Sequence, residues 1–405
     1  MNVKLLDQRR DNLTGQLQEN EIIIIFAASQ PDYPRYFLQD SNFMYFSGLD
    51  IPDAILVQRN FQGKTNSALF IERGILEMEV WEGKKLSQEE AQKISGIKNV
   101  SYLDEFNRKI GFFLNGVRNC YINLNVANLT APLNKQQVFA KEIRAKYPAV
   151  QVDDAMQKIS PLRAKKDKWE ISQLQKAIDI TGTGIESIRE KAEAGMMEYE
   201  LEAILVYEAK RKGLRHMGFH PIIASGVNAA TLHYHQNNCK IGKNDLILLD
   251  VGAACHGYSA DISRAFPVSG KFTNRQKDVY TEVLNINKAI IDMMKPGISM
   301  AELNKTTVEL ITEALFRLKL IKKKSEYFKY YMHSVGHHLG MAAHDVGPRD
   351  TPLEEGNVIT VEPGIYIPKE KIGVRIEDDI LVTKDGFKNL SSHIPKGVEE
   401  LEDLD

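Results

Sequence analysis

The chain of 405 residues holds only three cysteines, Cys120, Cys239 and Cys255, scattered and odd in number. That excludes a disulfide framework and points to a reducing compartment. It has almost no charge imbalance: 52 Lys and Arg stand against 54 Asp and Glu, a formal net charge of −2. No basic field is available to hold nucleic acid, and Lys322-Lys-Lys324 reads as a solvated helix end. No uncharged apolar run approaches the roughly 20 residues that span a bilayer. The opening Met1-Asn-Val-Lys-Leu-Leu-Asp-Gln-Arg-Arg10 lacks the apolar core of a signal peptide. A soluble, cytoplasmic protein is therefore expected, without membrane or nucleic-acid partners. A His-Glu-x-x-His zinc motif and a Gly-x-Ser-x-Gly nucleophile elbow are also missing.

What is present is a set of metal-binding side chains in order: Asp250, Asp261, His337, Glu362 and Glu377. Four carboxylates and one imidazole are a hard, oxygen-rich set, suited to two divalent cations such as Mn²⁺ rather than to a thiolate zinc site. Two ions close together can lower the pKa of a shared water. The run Asp245-Leu-Ile-Leu-Leu-Asp250 reads as a strand ending in an acid, and Tyr258-Ser-Ala-Asp261-Ile-Ser-Arg-Ala-Phe266 as its partner. Folding about Cys255 and His256 sets Asp250 opposite Asp261, where like charges repel unless a cation lies between them. Asn357-Val-Ile-Thr-Val-Glu362 and Gly373-Val-Arg-Ile-Glu377-Asp-Asp-Ile-Leu-Val382 repeat the arrangement. Folding about Lys369 and Glu370 sets Glu362 opposite Glu377. Between the two pairs, His333-Ser-Val-Gly336-His337-His338-Leu-Gly340 and His344 gather four of the ten histidines. Gly336 and Gly340 predict an extended, close-packed stretch there instead of a helix.

At this length two domains are expected, dividing near Ser160-Pro161. Residues 1–160 alternate short apolar strands (21–26, 54–57, 67–71, 121–124) with helical stretches (3–18, 87–95, 135–147), an α/β pattern. In residues 161–405, Ile171, Leu174, Ile178, Thr181, Ile185 and Ile188 follow the spacing of a long amphipathic helix. This second part repeats itself. A long helix near 167–191 leads through Gly195-x4-Glu-Leu201 to a second helix, a histidine-bearing segment and a hairpin. A long helix near 274–294 leads through Gly297-x4-Glu-Leu303 to the same sequence of elements. Residues 165–270 and 271–385 are thus expected to be α-β-β halves related by a pseudo-two-fold, in a mixed α+β chain.

Several words in the sequence are signatures. Thr231-Leu-His233-Tyr, Leu249-Asp250-Val-Gly252, Tyr258-Ser-Ala-Asp261-Ile-Ser-Arg264, His333-Ser-Val-Gly-His337, Val361-Glu362-Pro-Gly-Ile-Tyr366 and Arg375-Ile-Glu377-Asp-Asp379 resemble the metal-site motifs of the pita-bread metallopeptidases, family M24. That family includes aminopeptidase P, prolidase, methionine aminopeptidase and creatinase. Tyr33-Pro-Arg-Tyr-Phe-Leu-Gln-Asp40-Ser-Asn-Phe-Met-Tyr45-Phe-Ser-Gly48, Glu79-Val-Trp81-Glu-Gly-Lys-Lys85 and Asp7-Gln-Arg-Arg10 resemble the creatinase-like N-terminal domain of the aminopeptidase P branch. The resemblance covers nearly the whole chain. It implies an N-terminal α/β domain concerned with oligomerisation and substrate access, and a pita-bread catalytic domain with curved sheet inside and helices outside.

The resemblance also implies roles. Asp250 would bind one ion with both oxygens, His337 and Glu362 the other, and Asp261 and Glu377 would bridge them. Glu362 would exchange a proton with the attacking water and the leaving nitrogen. His233, His333 and His344 would line the substrate pocket, while Arg375 and Tyr366 would hold the metal-binding carboxylates. His220 and His338 are expected to be packing residues. The implied activity is release of the N-terminal residue from Xaa-Pro-Yaa peptides by a homodimer or homotetramer using two ions, with Mn²⁺ the implied metal. In such an assembly Asp40 would lie where it could meet a substrate's α-ammonium. A prolidase confined to Xaa-Pro dipeptides is an alternative; it needs a cation for the dipeptide carboxylate, and Gly347-Pro-Arg349-Asp350-Thr-Pro352 carries Arg349. A non-catalytic peptide-binding relative and a creatinase-like amidinohydrolase are further alternatives.

Overall fold

In the computed structural model, residues 2–31, 36–348 and 351–402 are described. Tyr33, Pro34 and Arg35 of the N-terminal motif, and Arg349, lie outside them. The chain divides into two compact units, Met1–Leu162 and Arg163–Asp405.

The first unit is built on Glu21–Phe26, whose six residues are all buried. A strand of four successive isoleucines, apolar on both sides, belongs in a sheet covered on both faces. It pairs antiparallel with Ile55–Phe61 and parallel with Asn119–Ile122. Lys64–Ile71, Asn99–Tyr102 and Gln151–Asp154 complete a six-stranded mixed sheet. The last two of these strands, with Asn99 and Gln151 exposed, lack the apolar runs by which the other four are legible. Asp40 caps the helix Ser41–Ser47 through Phe43 N, and its other oxygen accepts from Asn125.

The second unit follows the repeated order of elements. Lys168–Lys191, capped by Asp167 with Glu170 in a reciprocal capping box, buries Leu174, Ile178, Thr181, Ile185 and Ile188. Glu198–Arg211, the short strand Ile222–Ser225 and the hairpin Leu246–Val251/Ile262–Pro267 come next. Asn274–Asp292 and Met300–Arg317 open the second half. The strands Val358–Val361, Gly364–Ile367, Ile372–Arg375 and Asp378–Thr383 close it.

The two hairpins differ in how they meet expectation. In the second, Val361 pairs with Asp378 and Gly364 with Arg375, so the shared register sets Glu362 across from Glu377 as expected. In the first, Asp250 pairs with Ser263, not Asp261, a slip of two residues from the expected register. The turn explains it. His256 (φ 50°) and Gly257 (φ 84°) are its central residues, the pair of positive φ values that a type I′ hairpin turn needs. Turning at Cys255 and His256 would leave the glycine outside. Because the slip is even, Asp250 and Asp261 keep a common face and become diagonal neighbours. The hairpins join where Glu377 N donates to Ser263 O (3.1 Å).

Candidate metal centre

Asp261, His337 and Glu377 each present a ligand atom, and these atoms lie within 4.8 Å of one another. The segment carrying His337 is non-helical, as its glycines foretell. Its position is set by His337 N donating to Thr360 Oγ1 (3.0 Å) and by Glu362 N donating to Val335 O (2.8 Å). The imidazole Nδ1 faces His338 O at 3.1 Å, so by the hydrogen-bond pattern it carries the proton. The unprotonated Nε2 then faces Asp261 Oδ2 and Glu362 Oε1, both at 3.5 Å. A lone pair aimed at two carboxyl oxygens is repulsive unless a cation lies between them. Together with the hard donor set, this fits a divalent ion.

The carboxyl groups carry the same signature. Burial, then the nearby Asp250, Asp379 and Glu362, pushes Asp261 well above the usual carboxylate range. Burial, then Asp261, Glu362 and Asp250, does the same to Glu377. Glu362 is pushed up to about 8, chiefly by burial, against the pull of Arg375. Among the described residues, one buried cation, Arg375, touches the group directly. Burial disfavours the charge of Arg375, but Tyr366, Asp250 and Glu377 outweigh that and hold it protonated.

Arg375 distributes its donors in three directions: Nε to Ser263 Oγ (2.8 Å), Nη1 to the Tyr366 hydroxyl (3.0 Å) and Nη2 to Asp250 Oδ2 (2.5 Å). Ser263 Oγ in turn donates to Glu377 Oε2 at 2.7 Å. The Tyr366 oxygen lies 2.8 Å from His333 Nε2, while His333 Nδ1 faces Ser334 O at 2.8 Å. His333 is thus neutral with its proton on Nδ1, and Tyr366 donates to Nε2. Burial and Arg375 lower its pKa to about 4. The His344 ring lies 4.0 Å from the His337 ring, and burial with His344 lowers His337 to about 4. His233 is exposed and stacks on His235 at 6.1 Å. His338 is buried, its Nε2 3.2 Å from Pro348 O, and His220 Nε2 meets His235 O at 3.0 Å.

Three further residues belong to the site. Ser263 links Arg375 to Glu377, Thr360 receives His337 N, and Asp379 receives the backbone N–H of Asp261 at 3.2 Å. Strand alternation could have found two of them. Ser263 is two residues from Asp261, and Asp379 two from Glu377.

A family model described as metallopeptidase family M24 matches residues 172–384, and one described as aminopeptidase P, N-terminal domain, matches residues 6–121. The Xaa-Pro aminopeptidase of Escherichia coli (strain K12) is 32% identical over 98% of this chain and 96% of its own length. A solved structure of a Bacillus anthracis protein proposed to be an aminopeptidase P superposes with a TM-score of 0.96 at 43% identity, covering 99% of this chain and 98% of that one. Zinc-substituted E. coli aminopeptidase P in complex with product gives 0.91 at 31% identity over the same shares of the two chains.

Proposed function

The chain belongs to metallopeptidase family M24, and from that premise we propose that it is a two-metal aminopeptidase removing the N-terminal residue from peptides with proline second. The observation that carries this reading is the convergence of Asp261, His337 and Glu377 within 4.8 Å, with Glu362 in contact range of His337. Asp250, Asp261, His337, Glu362 and Glu377 would hold two divalent ions, with Mn²⁺ the expected metal. When bound, such ions polarise a carbonyl and lower the pKa of water.

The chain's own residues then divide the remaining work. Glu362, ionised in the metal-loaded site, would take a proton from the attacking water and return it to the proline nitrogen as the bond breaks. Arg375 fixes Asp250 and, through Ser263, Glu377. Tyr366 orients neutral His333, whose two nitrogens are both engaged, so that its ring packs against the proline, while His233 and His344 face the developing oxyanion. An imide nitrogen has no N–H, so this pocket must accept the ring by shape rather than by a donor from the scissile bond.

We assign oligomerisation and substrate access to residues 1–160, and catalysis to 161–405; size measurement in solution should give a homodimer or homotetramer. Among the described residues no helix is long and apolar enough to cross a membrane. With the free cysteines, that supports a cytoplasmic location. The test of the activity is hydrolysis of an Xaa-Pro-Yaa tripeptide against an Xaa-Pro dipeptide, with Mn²⁺ added to chelator-treated enzyme. The tripeptide should be cleaved at least as well. Dipeptide-only cleavage would make the enzyme a prolidase instead.

A further inference from the structure

Glu198 is the first residue of its helix, is fully buried, and accepts five hydrogen bonds. Its Oε1 receives Ser225 N (2.8 Å), Ser225 Oγ (2.7 Å) and Asn228 Nδ2 (3.1 Å). Its Oε2 receives the Tyr234 hydroxyl (2.7 Å) and Cys239 N (2.9 Å). The backbone N–H of Glu198 also donates to Cys239 O at 3.0 Å, closing a ring around the loop. A carboxylate in the interior is costly unless its lone pairs are occupied, and here both oxygens are.

What those bonds hold is the segment around His233. Tyr234, its next residue, packs in a small core with Ile222, Ala224, Ala229, Leu248 and Tyr366. Leu232, its preceding residue, packs against the same core. His233 is itself exposed, so its place is determined by these two flanking side chains rather than by burial of its own ring. The turn Gly226–Ala230, tied down through Asn228, presses on the strand that carries Arg375. At Gly373 a Cβ would come within 1.9 Å of Ala229 O, so only glycine admits that approach. One carboxylate thus fixes the loop bearing His233 and braces the element beside Arg375.

We propose that Glu198 is a positioning residue for the reaction, acting through the Tyr234 hydroxyl to hold His233 in place. The proposal rests on the aminopeptidase reading above for what His233 does, but not for where it is held. Glutamine at this position has one acceptor oxygen and an amide that can only donate, so two or three of the five donors would face a donor.

The experiment is a double-mutant cycle on Xaa-Pro-Yaa hydrolysis by the metal-loaded enzyme, with thermal melting to verify folding. Glu198→Gln should lower kcat/KM by about 10- to 100-fold, the scale of a displaced positioning group. In a His233→Ala background the same change should cost less than about 3-fold, the residual loss being the part carried by the turn beside Arg375. Equal losses in both backgrounds, with wild type active, would overturn the proposal and leave the function standing. Tyr234→Phe removes the short bond to Glu198 and the two longer contacts of the hydroxyl with Asn238 (both 3.4 Å) but keeps the ring; it should give a smaller loss with the same dependence on His233, and it decides the matter if Glu198→Gln does not fold. Histidine-ring NMR of the protein loaded with diamagnetic Zn²⁺ supplies a readout independent of turnover. The His233 signal should shift or broaden in Tyr234→Phe while that of His393 does not. An unchanged His233 signal would overturn the proposal even if wild type failed to cleave the peptide, an outcome that would separately refute the aminopeptidase reading.

Discussion

Arg375 donates from Nη2 to Asp250 Oδ2 across 2.5 Å, and so ties the second hairpin of the catalytic unit to a carboxylate of the first. Its remaining nitrogens reach Ser263 and Tyr366, which makes one planar fork the organiser of three side chains. Lysine cannot reproduce that geometry, because an ammonium is a point charge on a flexible stem. Arg375→Lys is expected to keep the fold and to weaken Mn²⁺ binding or activity by about 10- to 100-fold, the usual cost of removing a group that orients metal ligands. Mn²⁺ titration of the chelated variant checks this; an affinity and rate equal to wild type would refute the role.

The opposite face of the same strands carries a second buried cation with a purely architectural task. Arg264 is fully buried and donates to Asp378 Oδ1 (2.9 Å), to Glu377 O (2.6 Å) and to Pro395 O (3.1 Å). Lys396 also pairs with Asp378 at 2.5 Å. Arg264→Ala would leave a buried carboxylate short of charge and several carbonyls without donors. A loss of about 3–5 kcal/mol is expected, read from the denaturant midpoint. A loss below about 1 kcal/mol would show that the hairpins are held by other contacts.

Much of this arrangement is legible in the sequence, and the exceptions have physical causes. The register joining Glu362 to Glu377 follows from a loop, Pro368–Lys371, symmetric about Lys369 and Glu370. The first hairpin is misplaced by two residues because its turn must contain Gly257; strand parity still leaves Asp250 and Asp261 on one face. Strand alternation puts Ser263 on the face of Asp261, but its part in the site shows only when a guanidinium from another strand reaches it. Arg349, the residue that separates the prolidase alternative, lies outside the described residues. The ion-binding roles rest on family resemblance, because spacing alone cannot say which of several acids face inward.

Stability should depend on pH and metal together. Glu362 is raised to about 8, and Asp261 and Glu377 well above the carboxylate range, so without metal the folded state retains protons that the unfolded chain loses near roughly pH 4. The folded state binds more protons, so these groups make stability fall as pH rises through that interval. His333 and His337, lowered to about 4, act oppositely, but their contribution is complete once pH exceeds about 6.5. Between pH 6.5 and 8, therefore, the melting temperature of chelated protein should fall, and Mn²⁺ should restore more stability at the higher pH while releasing protons. A metal-free protein that gains stability across that window, with no proton release on binding Mn²⁺, would contradict the assignment of these carboxyls.

The central claim is that Asp250, Asp261, His337, Glu362 and Glu377 together hold two ions on which cleavage depends. Its most direct test is a stoichiometric Mn²⁺ titration of chelator-treated enzyme, followed by release of the N-terminal residue from an Xaa-Pro-Yaa peptide. Activity should be absent without metal and should reach its plateau at two ions per chain. Full cleavage of the peptide by exhaustively chelated protein would contradict the account.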